Sequence, residues 1–142
     1  MNKDLVPALT QAINAPGTTM APAALIIARI EFPRLDPQPY LERLDTLGAG
    51  AALAVQRCVA GGDSPTVARV NALNEFLFEE MRFSGSNDYE DPRNSCLNEV
   101  LDRRTGIPIT LAVLYMEVAR RAGIHIDGAQ MRRDIGHRAI KR

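Results

Sequence analysis

The sequence contains no tryptophan, and aromatic residues make up only 5% of its 142 residues. A core built from it must rest on leucine, isoleucine, valine and alanine. Cysteine and histidine are equally scarce, at two each. Cys58 and Cys96 are too far apart for a CxxC pair, and no HExxH pattern occurs, so no metal and no cofactor is expected. Two such cysteines read as reduced, partly buried thiols of a cytoplasmic protein. No run approaches the roughly 18 apolar residues that a membrane span needs. The first residues, MNKDLVPALTQAINAPG, hold no long apolar stretch, so a secretory leader is not expected. There is no Gly-rich phosphate loop, since GAGAA at 48–52 falls inside a helical pattern and lacks GK[ST].

Net charge is also lacking, with 17 basic residues against 17 acidic ones. The balance is uneven along the chain. Residues 132–142, RRDIGHRAIKR, hold five Arg or Lys and one Asp, which leaves the remainder at −4. This tail reads as a solvated terminus, and nucleic acid is not an expected partner.

What the sequence does have is helical periodicity. Residues 4–14 form a short candidate, ended by Pro16 and Gly17. A second runs over 18–32, with Thr19 as cap and Pro22 in its first turn. Asp36 is placed to cap a third, on which Tyr40, Leu41, Leu44, Leu47, Ala51 and Val55 recur at helical spacing. Gly48 and Gly50 weaken its middle and permit a kink or a close helix contact. Pro65 opens a fourth with an apolar stripe of Val67, Val70, Leu73, Leu77 and Met81. Residues 83–94 carry Gly, Ser, Asn, Asp and Pro with no period, so they read as a loop. Asn94 or Ser95 starts a fifth helix, where Glu99 can pair with Arg103 and Gly106 is placed as C-cap. Pro108 opens the sixth, which is apolar on almost every face as far as Glu117 and is ended by Gly123. Such a helix belongs inside. Residues 124–131 suit one short strand.

The expected fold is therefore mostly α, with about six helices around a buried central helix at 108–121. The expected domain is a single helical unit over 1–131, with an N-terminal helical region at 1–82 and a core motif at 83–131, followed by the basic tail.

Within 88–128 the residues Tyr89, Pro92, Arg93, Asn94, Ser95, Arg103, Arg104, GIPITL at 106–111, Leu114-Tyr115 and EVARRAG at 117–123 form a specific signature. In these residues the chain resembles the bacterial transglutaminase-like family of the SirB type. There a transglutaminase-like α+β core is followed by tetratricopeptide-like helices. The resemblance implies that this chain is the helical part of such a core. It further implies a strand and a Pro-Gly-His-Phe segment after residue 128. Here Gly136-His137 comes late and lacks the Pro and Phe, so a truncated or frame-changed C-terminus is expected.

The family resemblance also implies a Cys-His-Asp site, whose nucleophile falls near the start of the GIPITL helix. In this sequence that position is Thr110. A threonine hydroxyl has no anionic form near neutral pH, so Thr110 reads as a helix residue bonding to backbone. Cys96 is the candidate substitute nucleophile, near a helix N-terminus where a thiol pKa can fall, and its structural reading is a buried, packed thiol. His137 is the one match to the catalytic histidine, and His125 reads as an ordinary polar residue. Arg93, Asn94, Arg103 and Arg104 are candidates for an anionic ligand, since guanidinium forks match carboxylate and phosphate. Their structural reading is that Arg93 and Asn94 brace the loop while Arg103 or Arg104 pairs with an acidic residue. The leading expectation is a non-catalytic binding or scaffold module with a protein partner or self-association, and no membrane. A hydrolase or acyltransferase using Cys96 or Thr110 with His137 is the alternative.

Overall fold

The computed structural model describes residues 20–59, 65–86, 88 and 90–124. The candidate helix at 4–14, His125, His137, the strand expected beyond Ile124 and the basic tail lie outside the described residues. Five α-helices occur among the described residues. They are α1 (Met20–Ile27), α2 (Gln38–Val59), α3 (Pro65–Asn74), α4 (Leu97–Arg103) and α5 (Pro108–Arg121). A 3-10 turn, Ala28–Ile30, extends α1, and a π turn, Glu75–Glu80, extends α3. The fold is mostly helical, as the periodicity implies.

The core lies around α5. Leu111, Leu114, Tyr115 and Val118 are at most 1% exposed. They pack in one cluster with Leu25 of α1, Leu44 and Ala51 of α2, Leu73 of α3, Leu77 of the π turn, and Leu97 and Val100 of α4. The helix is not enclosed throughout, for Ile109 is 68% and Met116 40% exposed. One strip of α5 therefore reaches solvent despite its apolar sequence.

The two mid-helix glycines of α2 are explained by what they face. A Cβ at Gly48 would collide with Cβ of Arg121, and one at Gly50 would lie 2.6 Å from the Phe76 ring. Their missing side chains let α5 and the π turn sit directly against the α2 backbone. That surface is thus occupied within the chain.

Three local expectations need correction. Val67 is 53% exposed, whereas Ala68, Ala72, Leu73, Phe76 and Leu77 are buried. The small alanines face inward because α3 packs closely on α2, and this rotates Val67 outward. Gly106 does not cap α4. Arg104 takes the left-handed conformation there, with φ 56° and ψ 33°, and Gly106 belongs to a strand.

The third correction concerns 83–94, read as a loop, where a short strand and a 3-10 turn form. Ser84–Gly85 (β1) pairs in parallel with Thr105–Gly106 (β2), with Ser84 opposite Thr105 and Gly85 opposite Gly106. Pro92–Ser95 is a 3-10 turn, with the Asp91 carboxylate accepting from the Arg93 N–H. Cys96 is then extended, and α4 begins at Leu97 rather than at Asn94 or Ser95.

Candidate functional site

The start of α5 is set by Ile107, which is extended, and by Pro108 at the first helical position. Proline fits there because its missing N–H would have no helical partner. Thr110 follows in the first turn and is buried. Its hydroxyl donates towards the Asn94 carbonyl at 2.7 Å and the Ile107 carbonyl at 3.1 Å. Both neighbours are pure acceptors, so the one hydroxyl hydrogen is shared between them. Gly106 makes room for this arrangement, since a Cβ there would lie 3.0 Å from Thr110 Oγ1 and 2.9 Å from Val100.

Asn94 is the hub of the neighbouring turn and is only 2% exposed. Its Nδ2 donates to the Asp88 carbonyl at 2.9 Å and to Ser86 Oγ at 3.3 Å. Its Oδ1 accepts from Arg103 Nη1 at 3.3 Å. Its own carbonyl accepts from Ile107 N–H and from Thr110. One asparagine thus ties the segment before the 3-10 turn to α4 and to the first turn of α5.

The arginines close the same network. Arg93 forks onto Asp91 through Nε and Nη2, at 2.8 Å for the shorter pair. That hydrogen bond, helped by Arg103, holds the Asp91 carboxyl below its usual range and raises the Arg93 guanidinium. Arg103 lies 3.9 Å from Asp91. Arg103 therefore serves the acidic residue of the turn, and no Glu99–Arg103 ion pair forms among the described residues. Arg104 donates to the Met81 carbonyl at 2.8 Å and lies over the Phe83 ring at 6.0 Å. All four candidate ligand residues thus have partners within the chain.

Cys96 precedes α4 but makes no capping bond. It is a free thiol, 7% exposed. Burial pushes its pKa up, and the charges of Glu31 and Glu99 add to this. A helix N-terminus can lower a thiol pKa. The low-dielectric surroundings and two nearby carboxylates dominate instead. Cys96 and Thr110 lie on different elements, and no pairing of either with a histidine falls within the described residues.

The profile of the transglutaminase-like superfamily matches residues 38–135, which include this whole network. The chain belongs to the transglutaminase-like superfamily. Among its relatives, a UPF0162 protein of Xylella fastidiosa is 45% identical over 106 residues, covering 74% of this chain and 36% of that one. A UPF0162 protein of Pseudomonas aeruginosa is 34% identical over 108 residues, covering 75% of this chain and 37% of that protein. F-box only protein 21 of Mus musculus is 39% identical over 59 residues, 41% of this chain and 9% of its own length. The chain thus spans about a third of the UPF0162 relatives it matches. No solved structure matches it.

In this transglutaminase-like chain one polar centre escaped the sequence reading. Glu117 is 2% exposed on α5. It accepts from the Ala21 N–H in the first turn of α1 at 2.5 Å and from Arg121 Nη1 at 2.7 Å. Arg121 Nε continues to Asp45 of α2 at 2.8 Å. The signal available was a lone acid on an apolar helix with arginines three and four residues later. Its partner on α1 is 96 residues away and has no sequence signature.

Proposed function

We propose that this chain is the helical part of a SirB-type transglutaminase-like protein and that it acts by binding a partner, not by acyl transfer. The observation that carries this reading is the state of Thr110. The residue at the expected nucleophile position is buried, and its only hydroxyl hydrogen is committed to backbone carbonyls. Activating it would require a base to break those bonds and to stabilise an alkoxide beside two carbonyl oxygens, which repel it. The thiol offers no replacement, because its environment favours the protonated form and thiolate is the nucleophile.

The polar residues of the signature support the same reading. Asn94, Arg103 and Arg104 join the 3-10 turn, α4, the end of the π turn and the first turn of α5 through hydrogen bonds, which suits a scaffold. A 59-residue likeness to an F-box protein, of which it makes up 9%, supports a portable module. On this reading the protein acts in the cytoplasm, where a free thiol such as Cys96 stays reduced.

The test is turnover of generic amide and ester substrates by the purified chain, alongside a Cys96→Ser variant. No turnover is expected from either. Turnover that disappears on Cys96→Ser would establish a thiol hydrolase and overturn the proposal.

A further inference from the structure

A cavity of about 200 Å³ opens where the first half of α2 passes the residues after the π turn and the end of α4. Its floor is apolar, for Leu47, Phe83 and Leu101 turn towards it the little surface that the core leaves open. Met81 adds a half-buried wall. The rest of its lining is Thr46, Arg43 and Arg104, so among the described residues it holds two guanidiniums and no carboxylate. Both arginines are exposed, and a ligand entering the cavity can reach them.

The two differ in how their charge is balanced. Arg43 is matched by Asp102. Arg104 has only neutral partners among the described residues: its Nη1 donates to the Met81 carbonyl, and the group lies over the Phe83 ring. No ion pair among those residues includes it. The Nε and Nη2 edge carries no bond there, and that edge is the fork on which a carboxylate seats with two parallel hydrogen bonds.

The backbone points the same way. Arg82 and Arg104 are the two non-glycine residues with positive φ among the described residues, at 64° and 56°. Glycine is the ordinary occupant of such a position. Arg82 turns the chain between Met81 and Phe83, and Arg104 ends α4. An arginine at 104 accepts strain that glycine would avoid and holds a guanidinium at the cavity in return.

Size and walls narrow the ligand. Drug-sized ligands occupy roughly 300–1,000 Å³, so this cavity suits a single side chain. An aspartate or glutamate side chain brings a carboxylate without an apolar branch. A leucine-like residue at the C-terminus of a peptide carries carboxylate and apolar group on one Cα, and brings an N–H as well. Thr46 donates its hydroxyl hydrogen to the Glu42 carbonyl at 3.1 Å and keeps a lone pair for that N–H.

We propose that this cavity receives the C-terminal residue of a peptide partner, with its apolar side chain on the floor of Leu47, Phe83 and Leu101 and its terminal carboxylate on Arg104. The inference rests on reading the chain as a binding module and names the chemistry of its partner.

The test is a titration of the isotope-labelled chain with N-acetyl-leucine, followed by amide chemical shifts. Saturable shifts in the millimolar range are expected at Met81, Phe83 and Arg104. N-acetyl-leucine amide, which lacks the carboxylate, should not bind. N-acetyl-alanine, which lacks the apolar branch, and 4-methylpentanoate, which lacks the N–H, should bind more weakly. Arg104→Gly should weaken binding about tenfold or more. Its melting temperature should change little, because relief of the left-handed backbone offsets the lost bond to Met81. Thr46→Glu, at an exposed position of the lining, should abolish binding and leave the melt unchanged. Absence of saturable shifts would overturn the proposal, as would equal binding by the amide or the alanine probe. Equal binding by 4-methylpentanoate would make the ligand a free acid and overturn the peptide assignment. Unaltered affinity in Arg104→Gly would also overturn it, and should that variant fail to fold, Thr46→Glu decides alone. Turnover in the substrate assay would sink the binding-only reading while leaving this titration's outcome standing, so the two failures are distinguishable.

Discussion

Replacing Glu117 by alanine removes the carboxylate that joins three helices. Two buried or nearly buried groups lose a bond at once, while Arg120, 3.7 Å from the carboxylate and 53% exposed, loses a weaker contact. The Ala21 N–H in the first turn of α1 is left without its acceptor, and Arg121, whose side chain is 13% exposed, loses its closest counter-charge. Breaking a buried ion pair on one side costs about 3–5 kcal/mol, because the surviving charge stays desolvated. Arg121 keeps Asp45, whose side chain is 71% exposed and therefore strongly hydrated. The expected loss is then about 3 kcal/mol, at the lower end of that range. For a chain of this size each kcal/mol moves the thermal midpoint by about 3 °C, so a drop of about 9 °C is expected. Glu117→Gln keeps an acceptor for Ala21 but not the charge, so about half of that loss is expected, in keeping with hydrogen bonds to charged groups being worth about twice neutral ones. Thermal melts followed by circular dichroism measure both. A midpoint within 1 °C of the parent chain for Glu117→Ala would refute the tie between α1 and α5.

Other outcomes follow from single contacts. Leu114→Ala, at a site 1% exposed in the centre of the core, should cost about 2–5 kcal/mol in denaturant unfolding. Gly48→Ala should destabilise, although alanine favours helix by about 1 kcal/mol, because its methyl meets Cβ of Arg121; a stabilised variant would contradict the close α2–α5 approach. In a Cys58→Ser background, Cys96 should react with an aromatic disulfide at neutral pH far more slowly than a free thiol. Its folded pKa is raised, first by burial and then by Glu31 and Glu99. The unfolded thiol therefore ionises first, and stability should fall as pH rises through the unfolded value.

The helices were legible because each buries an apolar face whose period the sequence carries. For α5 the density of apolar residues alone placed it inside. That Arg93 and Asn94 brace 83–94 was legible, but the partners of Asn94 were not, because its bonds reach groups that only the fold brings near. Asn94 reaches Ser86 and Asp88, and a two-residue parallel bridge is too short to have a period. Val67 misled because helix phase in α3 was decided by how closely alanines let α2 approach. The expectation for Thr110 came from a general argument about hydroxyls at helix starts, and the bond to Ile107 is of that local kind. The bond to Asn94, sixteen residues away, is a property of the fold. For Cys96 the buried-thiol reading was legible, but the carboxylate of Glu31 that adds to burial was not, because only the fold brings it near.

The central claim is that Thr110 holds the turn together and performs no chemistry. Turnover and thermal melting of Thr110→Val test it in one preparation. Valine keeps the shape and removes the hydroxyl, leaving the Asn94 carbonyl short of a donor. No amide or ester turnover is expected from either protein, with a stability loss of about 1–3 kcal/mol in the variant. Turnover by the parent chain that vanishes in Thr110→Val, with the melting temperature unchanged, would contradict it.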